Sequence, residues 1–396
     1  MNRNPSASRR QSGFTLVELM VGVLVGLIAT IVMFQVFAVS ESQKRTTTGA
    51  GDAQQNGVAT LFQLERDARM AGFGLNYTPL LGCRTFGWHN PSNSLISFAL
   101  APATIVDGAG GTPDSITFIY GNSNQFVVPE KIRTVKTAAY TLKGRFGFNP
   151  GDIVVVGQVG QNCTMSQVSA VPTTPVADAA DIKLDVGTYV DENGNAQQLD
   201  YNRAGGLPAP NNVVYSTWDD AAMTGGRVFN LGRTPTVVSY SIQGNQLVAV
   251  DGMVPGAQVV LSDGIVQMQA QYGFDGDGNG QFNPPAAAAS VPVINTAVAS
   301  DQWGDAMPAA AAAADWAKVM VVRIAVVARS ITPERVNPAT GVCEATTANP
   351  VWLAKNPGLG GTPIDVTADP NWQCYRYRLF EVTVPLRNVL WFATPA

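Results

Sequence analysis

The sequence predicts an α+β protein in which one long N-terminal helix carries a large β-rich head. Three observations lead there. From residue 14 to residue 39 run 26 residues whose only ionisable side chain is Glu18, and at about 1.5 Å per residue such a helix crosses a hydrocarbon core of roughly 30 Å. Beyond it Val58, Leu61, Leu64, Ala68 and Ala71 recur at helical spacing, with Gln63, Glu65, Arg66 and Arg69 on other faces, until Gly72 and Gly74 stop the pattern. The remainder holds most of the 39 glycines and 25 prolines and breaks into short alternating runs, the mark of turn-rich strands.

Taken in order, residues 1–13 form a polar leader with Arg3, Arg9 and Arg10, which the positive-inside tendency keeps in the cytoplasm so that the rest faces outward. Residues 14–40 are the membrane-spanning helix and residues 41–74 its amphipathic continuation, with a kink expected at 46–51. Residues 75–396 make the exported head, long enough for one large or two modest sub-domains. Strand signals begin at Ser115. They cover 115–120, 125–128, 153–156, 265–272, 319–328 and 378–386, and two runs at 237–242 and 246–250 flank Gly244-Asn245 as a hairpin. In the last strand Phe380, Val382, Val384 and Leu386 share one face while Glu381, Thr383 and Arg387 share the other. Residues 284–299 read as loop. Pro308 opens a short helix over 309–314, with Asp305 as its cap.

Composition narrows the function. Only 14% of residues are charged, the net charge is −4, and loss of the leader makes it −7, 22 basic against 29 acidic. No basic patch stands out for nucleic acid. Cys83, Cys163, Cys343 and Cys374 all fall on the outward side without C-x-x-C spacing, which reads as two disulfides in an oxidising compartment. Three pairings are open. The nearest-neighbour one, Cys83 with Cys163 and Cys343 with Cys374, is the expectation. Zinc is disfavoured, because the single histidine, His89, has no partner at ligand spacing. The chain lacks H-E-x-x-H, G-x-S-x-G and P-loop motifs, so no catalytic set is expected. The seven tryptophans read as core or interface anchors, with a sugar-binding face as the alternative.

One stretch carries cation chemistry. Asp275, Asp277 and Asn279 stand at positions 1, 3 and 5 of a D-x-[DN]-x-[DN]-G loop, Gly280 supplies the sharp turn, and Gln281 offers a carbonyl at position 7. Position 12, where a bidentate glutamate belongs, is Ala286, so the missing acid must come from elsewhere, with Asp301 and Asp305 nearest in sequence. A calcium ion and a bare Asp/Gly turn are both open readings. The run from Asp191 to Asn195 has Ala196 where the glycine belongs and reads as a turn.

The junction Gly13, Phe14-Thr15-Leu16-Val17-Glu18 resembles the class III signal of type IV prepilins. A conventional secretory signal fits less well, since Ala38-Val39-Ser40 is only a marginal cleavage site. The resemblance implies cleavage after Gly13 by a prepilin peptidase, N-methylation of Phe14 and retention of the apolar helix. An ionisable group inside a membrane helix costs about 2.5–3.5 kcal/mol on insertion scales and so calls for a function. In pilins the glutamate at this place neutralises the N-terminal amine of a neighbouring subunit, which gives Glu18 a role in assembly.

Further blocks resemble the PilW group of minor pilins: Gln55-Asn56-Gly57, residues 64–73 (LERDARMAGF), Gly82-Cys83, residues 272–278 (YGFDGDG), Asp315-Trp316 with 319–330, and residues 383–388 (TVPLRN). Residues 90–260 match nothing. The resemblance implies a type IV pilin-like fold with an enlarged antiparallel head. It also implies a structural subunit acting near the fibre tip, in assembly initiation and adhesin display. The implied partners are other minor pilins, the major pilin, the inner-membrane assembly platform and a tip adhesin. The subunit would be stored in the inner membrane with its head in the periplasm and then enter the extracellular fibre. The alternatives are a J-type pseudopilin of type II secretion, a pilin-anchored adhesin or DNA-uptake receptor, and a membrane-tethered enzyme.

Overall fold

The computed structural model describes residues 13–75, 77–124, 129–144, 146–172, 180–285 and 288–390. The leader residues 1–12 and the strand expected at 125–128 lie outside them. A single helix, α1 (Leu16–Met70), leads through a turn at Thr78–Leu80 into β1 (Arg84–His89), β2 (Ser94–Ala99), β3 (Ala103–Val106) and β4 (Ser115–Tyr120). Next come β5 (Glu130–Lys136), β6 (Ala139–Leu142), β7 (Ile153–Gly157), β8 (Cys163–Gln167), β9 (Asp181–Lys183), β10 (Thr188–Val190), β11 (Ala196–Gln198) and β12 (Arg227–Gly232). The chain returns as β13 (Thr236–Gln243), β14 (Gln246–Asp251), β15 (Gln258–Asp263), β16 (Ile265–Phe274), β17 (Val291–Val293) and β18 (Gln302–Ala306). It ends with α2 (Ala313–Ala317), β19 (Val319–Arg329), β20 (Val351–Trp352), β21 (Thr362–Pro363), β22 (Tyr377–Pro385) and α3 (Arg387–Leu390).

Two five-stranded sheets form the base of the head, in the orders β15-β14-β13-β4-β3 and β17-β18-β16-β19-β22. An eight-stranded sheet, β2-β1-β8-β7-β12-β5-β6-β9, lies beyond them. Pairing is antiparallel except for β1 with β8 and β17 with β18. Tyr120 and Thr236 are register partners where β4 meets β13, so residues 121–235 leave and re-enter the sheet at one point. That excursion supplies six of the eight outer strands; β1 and β2 supply the rest.

The base is built around α1. Val322, Ile324, Val326 and Ala328 from one face of β19 join Leu64, Ala68, Phe118, Met268 and Tyr272 in one core. Ala325 and Val327 from its other face pack on Trp352, Ile364 and Val366. A strand buried on both faces explains the nearly unbroken apolar run in the sequence. The helix lies close to the sheet through small residues: a Cβ on Gly57 would stand 2.1 Å from the Phe380 ring, and one on Gly49 2.9 Å from Ser330.

Several expectations change. The helix continues through 46–51 without a break. Its buried stripe is Gly49, Ala53, Gly57, Thr60, Leu64, Asp67, Ala68 and Ala71, whereas Val58 is half exposed, because the contact selects small residues. Strands begin at Arg84, ahead of Ser115, and β17 lies inside the expected loop at 284–299. The short helix forms at Ala313–Ala317, where Asp315 accepts from the Ala312 N–H at 2.8 Å, and Asp305 is instead in β18, paired with Lys355. Gly244 and Asn245 both take positive φ, +58° and +62°, as a two-residue hairpin turn requires.

Candidate functional site

The helix N-terminus is the first site. Thr15 adopts an extended conformation as N-cap, and its hydroxyl accepts from the Glu18 N–H at 3.3 Å. Glu18 reaches back in turn, its Oε2 accepting from the Thr15 N–H and the Thr15 hydroxyl, both at 3.0 Å. This reciprocal capping box satisfies donors that a helix start leaves free. It lies wholly after Gly13, so cleavage there would leave it intact. Phe14 stands beside it, 86% exposed, and every side chain from Leu16 to Val39 points into open space. The Thr30 hydroxyl donates to the Leu27 carbonyl at 2.8 Å, which removes its need for water in an apolar surrounding.

The other end of α1 is tied to the head by groups that spacing alone does not reveal. Asp67, fully buried on the sheet side, accepts from the Tyr240 hydroxyl, from Arg66 Nε at 3.1 Å and from the Tyr120 hydroxyl at 3.4 Å. Asn388 Nδ2 donates to the Met70 and Ala71 carbonyls at 3.1 and 3.0 Å, closing the helix C-terminus. Trp316 fills the space that a side chain on Gly82 would need, with a Cβ there 2.2 Å from its indole. Sequence blocks some 230 to 320 residues apart thus meet at this one end of the helix. The signal for Asp67 was an acid between two arginines on the apolar side of the stripe. For Asn388 the sequence offered only its place at the end of the 383–388 block, with nothing to mark its helix-capping role.

The aspartate loop follows β16. The carboxylates of Asp275, Asp277 and Asp301 each offer an oxygen within 4.8 Å of the others, with Asp275 and Asp301 buried and Asp277 exposed. Asp275 accepts from the Gly278 and Gly280 N–H groups at 2.7 and 2.9 Å, and Asp301 from Gly276 N–H at 3.2 Å and from Asn283 N–H. Burial, with Asp277 and Asp301 alongside, raises the Asp275 carboxyl above its ordinary range. The structure therefore brings Asp301 to the loop and leaves Asp305 outside it, held by Lys355 at 2.8 Å and by Gln271 at 2.5 Å. Asn279 Oδ1 accepts from the Gln281 N–H at 2.7 Å, and the Gln281 side chain turns to Asn283. At Asp191 the carboxylate receives the Asn193 and Asn195 N–H groups, a turn between β10 and β11.

The four cysteines form two bridges, Cys83–Cys163 and Cys343–Cys374. His89 Nδ1 lies 2.7 Å from the Ser92 hydroxyl and its ring leans on Tyr201. Trp352 is fully buried, Trp303 lies under the Arg323 guanidinium and meets Phe282 edge to face, and the Trp218 ring faces the Arg227 and Lys131 cations.

Comparison with known families agrees with this geometry. Residues 234–388 match the type IV pilus-assembly protein W family, and residues 8–34 match the prokaryotic N-terminal methylation motif. The first match begins where the chain re-enters the base at β13 and ends at the helix-capping Asn388. No curated protein and no solved structure matches the chain. The first matched family is one of pilus assembly and not an enzyme family, and the second match is a methylation motif at the N-terminus.

Proposed function

We propose that this PilW-like pilin is a minor subunit of a type IV pilus. It is stored as a single-pass inner-membrane protein with its head in the periplasm, and then drawn into the fibre near the tip. A prepilin peptidase cuts after Gly13, Phe14 is methylated, and the exposed helix from Leu16 to Val39 packs among those of other minor pilins and the major pilin on the assembly platform. The observation that carries the reading is Glu18, a carboxylate one turn into an otherwise apolar, fully exposed helix. Thr15 occupies Oε2. The account gives Glu18 the Phe14 amine of a neighbour as its counter-charge.

Replacing Glu18 with Ala tests this. The variant is expected to insert and be processed, because the helix becomes more apolar, and to enter sheared pili poorly, because a buried amine loses its partner. Glu18→Asp is expected to be intermediate. Normal incorporation of Glu18→Ala would remove the assembly role. Gene neighbourhood separates this reading from a secretion pseudopilin: neighbouring minor-pilin and adhesin genes support it, and secretion-channel genes oppose it.

A second proposal concerns the aspartate loop, which we read as a calcium site formed by Asp275, Asp277, Asn279 and the Gln281 carbonyl, completed by Asp301. Its support is that Asp301, 24 residues beyond Asp277 in sequence, stands where the loop lacked an acid. An ion bound only by the folded state stabilises by about 2.7 kcal/mol at a hundredfold excess over Kd. The full-length protein in detergent is thus expected to melt higher in millimolar calcium than in chelator, and the Asp275→Asn/Asp277→Asn variant to melt alike in both. Equal melting of the unaltered protein would leave a bare turn.

A further inference from the structure

The two faces of the outer sheet have different neighbours. Ile153 and Val155 of β7 join Ile119 and Val237 from the base, whereas Val154 and Val156 point the other way and pack with Ile132, Leu142 and Tyr215. On that second face, turned away from the base, lies a cleft of about 600 Å³, within the range of roughly 300–1,000 Å³ usual for small-ligand sites. Thr164 and Ser166 of β8 stand opposite Val156 and Val154, so both hydroxyl side chains belong to this face, and Tyr140 of β6, opposite Ile182 and Val135, joins them. Leu184 and Val213 add apolar surface, and Asn211 and Asn212 add carboxamides. Every described residue of the lining falls between 136 and 213, inside the excursion and outside the matched segment 234–388.

The wall formed by residues 201–213 is held in place. Asn202, which is buried, accepts from the Gln167 N–H and donates to the Gln167 carbonyl, both at 2.7 Å, and donates to the Asp185 carbonyl at 2.8 Å. Its own carbonyl accepts from Asn90 Nδ2 at 2.6 Å. The Arg203 guanidinium lies over the Trp88 ring at 4.7 Å and donates to the Gly206 carbonyl at 2.9 Å. A cleft fixed beforehand loses little to ordering when a ligand enters.

The unpaired polar groups indicate the ligand. Among the described residues the Tyr140 and Ser166 hydroxyls and the carboxamides of Asn211 and Asn212 make no hydrogen bond within the protein. Burial pushes the Tyr140 hydroxyl up to about 12, so it remains neutral. Hydroxyls and carboxamides both donate and accept, and an apolar ligand that displaced their water would leave them unsatisfied. An anion is served no better. Lys136 is engaged by Asp181 at 2.5 Å, Arg203 by Trp88 and the Gly206 carbonyl, and Asp185 adds a negative charge to the lining. What fits is an uncharged molecule with many hydroxyls and an apolar C–H face.

We propose that this cleft binds a neutral saccharide, with the Tyr140 and Ser166 hydroxyls and the Asn211 and Asn212 carboxamides bonding to its hydroxyls and Leu184 and Val213 lying against its C–H face. The inference does not depend on the assembly reading, since the described lining shares no residue with α1 or with the matched segment.

The test applies the full-length protein, in a sugar-free detergent, to an array of neutral and acidic oligosaccharides. The Kd of the strongest binder is then measured by calorimetry for the unaltered protein and for Tyr140→Phe, Asn212→Ala and Trp218→Phe. Neutral members of the array are expected to bind. Tyr140→Phe and Asn212→Ala are each expected to weaken binding about three- to tenfold, the usual effect of one lost hydrogen bond. Their melting is expected to be unchanged, because the Tyr140 hydroxyl has no protein partner among the described residues and Asn212 is exposed. Trp218→Phe is expected to bind as the unaltered protein does. Binding of no array member, or of acidic members alone, would overturn the proposal. Undiminished affinity in both cleft variants would overturn it too, and a loss in Trp218→Phe alone would move the sugar to that tryptophan ring.

Discussion

The base of the head and the eight-stranded sheet beyond it use similar strands, yet they are secured in different ways. The base buries the helix: small residues of α1 lie against β19 and β22, Asp67 is buried under Tyr240, and Asn388 caps the helix end. The outer sheet packs on the chain just beyond the last turn of α1. There Leu75, Leu80 and Leu81 join Ile153, Val155, Phe229 and Leu231, with Ile119 and Val237 from the base, in a second core, and Cys83–Cys163 ties the segment before β1 to its neighbour β8. Its far face holds a third core around Ile132, Val154, Val156 and Tyr215. The difference teaches that most strands packed with α1 come from the matched segment 234–388, while six of the eight strands of the outer sheet come from the excursion between the paired strands β4 and β13.

That contrast breaks most visibly at the disulfides. In the chain-entropy model, closing a loop of 80 residues between Cys83 and Cys163 contributes about 4.5 kcal/mol, and closing one of 31 between Cys343 and Cys374 about 3.7 kcal/mol. Cys83→Ser/Cys163→Ser is therefore expected to open the outer sheet to protease while α1 stays packed on the base, as mapped by mass spectrometry of the fragments. Simultaneous digestion of both parts would show that they form one cooperative unit. A smaller effect is expected at Asp67. Asp67→Ala leaves the buried Tyr240 hydroxyl without its acceptor and removes a charged hydrogen-bonding group, at a cost of about 2–3 kcal/mol. Urea unfolding of the full-length protein should register this as a lower midpoint, with cleavage appearing first between α1 and the base. An unchanged midpoint would mean that small-residue packing alone holds the helix.

How far the sequence shows this architecture follows the same divide. The helix, β4, β7, the β13–β14 hairpin, β16, β19 and β22 were legible because each has a length and period of its own. The insertion as a unit was not. The partnership of Tyr120 with Thr236 is a contact across 116 positions, and nothing local in either residue marks it. The short strands β1, β2, β3 and β5 lack a clear run of β-branched alternation. Val58 was misplaced because its apolar character outweighed Gly57, although glycine lets Phe380 approach. At the aspartate loop the first ligands were readable from their spacing, whereas the choice of Asp301 over Asp305 depends on where β18 begins. Glu18 was plain as the one ionisable residue of its segment, but its Thr15 capping box emerged only from the helix start.

The central claim is that the apolar helix is a prepilin assembly helix retained in the mature protein. Mass spectrometry of the mature N-terminus, from protein purified out of membranes and sheared fibres, tests it most directly. The account predicts a chain beginning with N-methylated Phe14, and full-length precursor for Gly13→Val. A mature chain beginning near residue 40, with the helix removed, would contradict it.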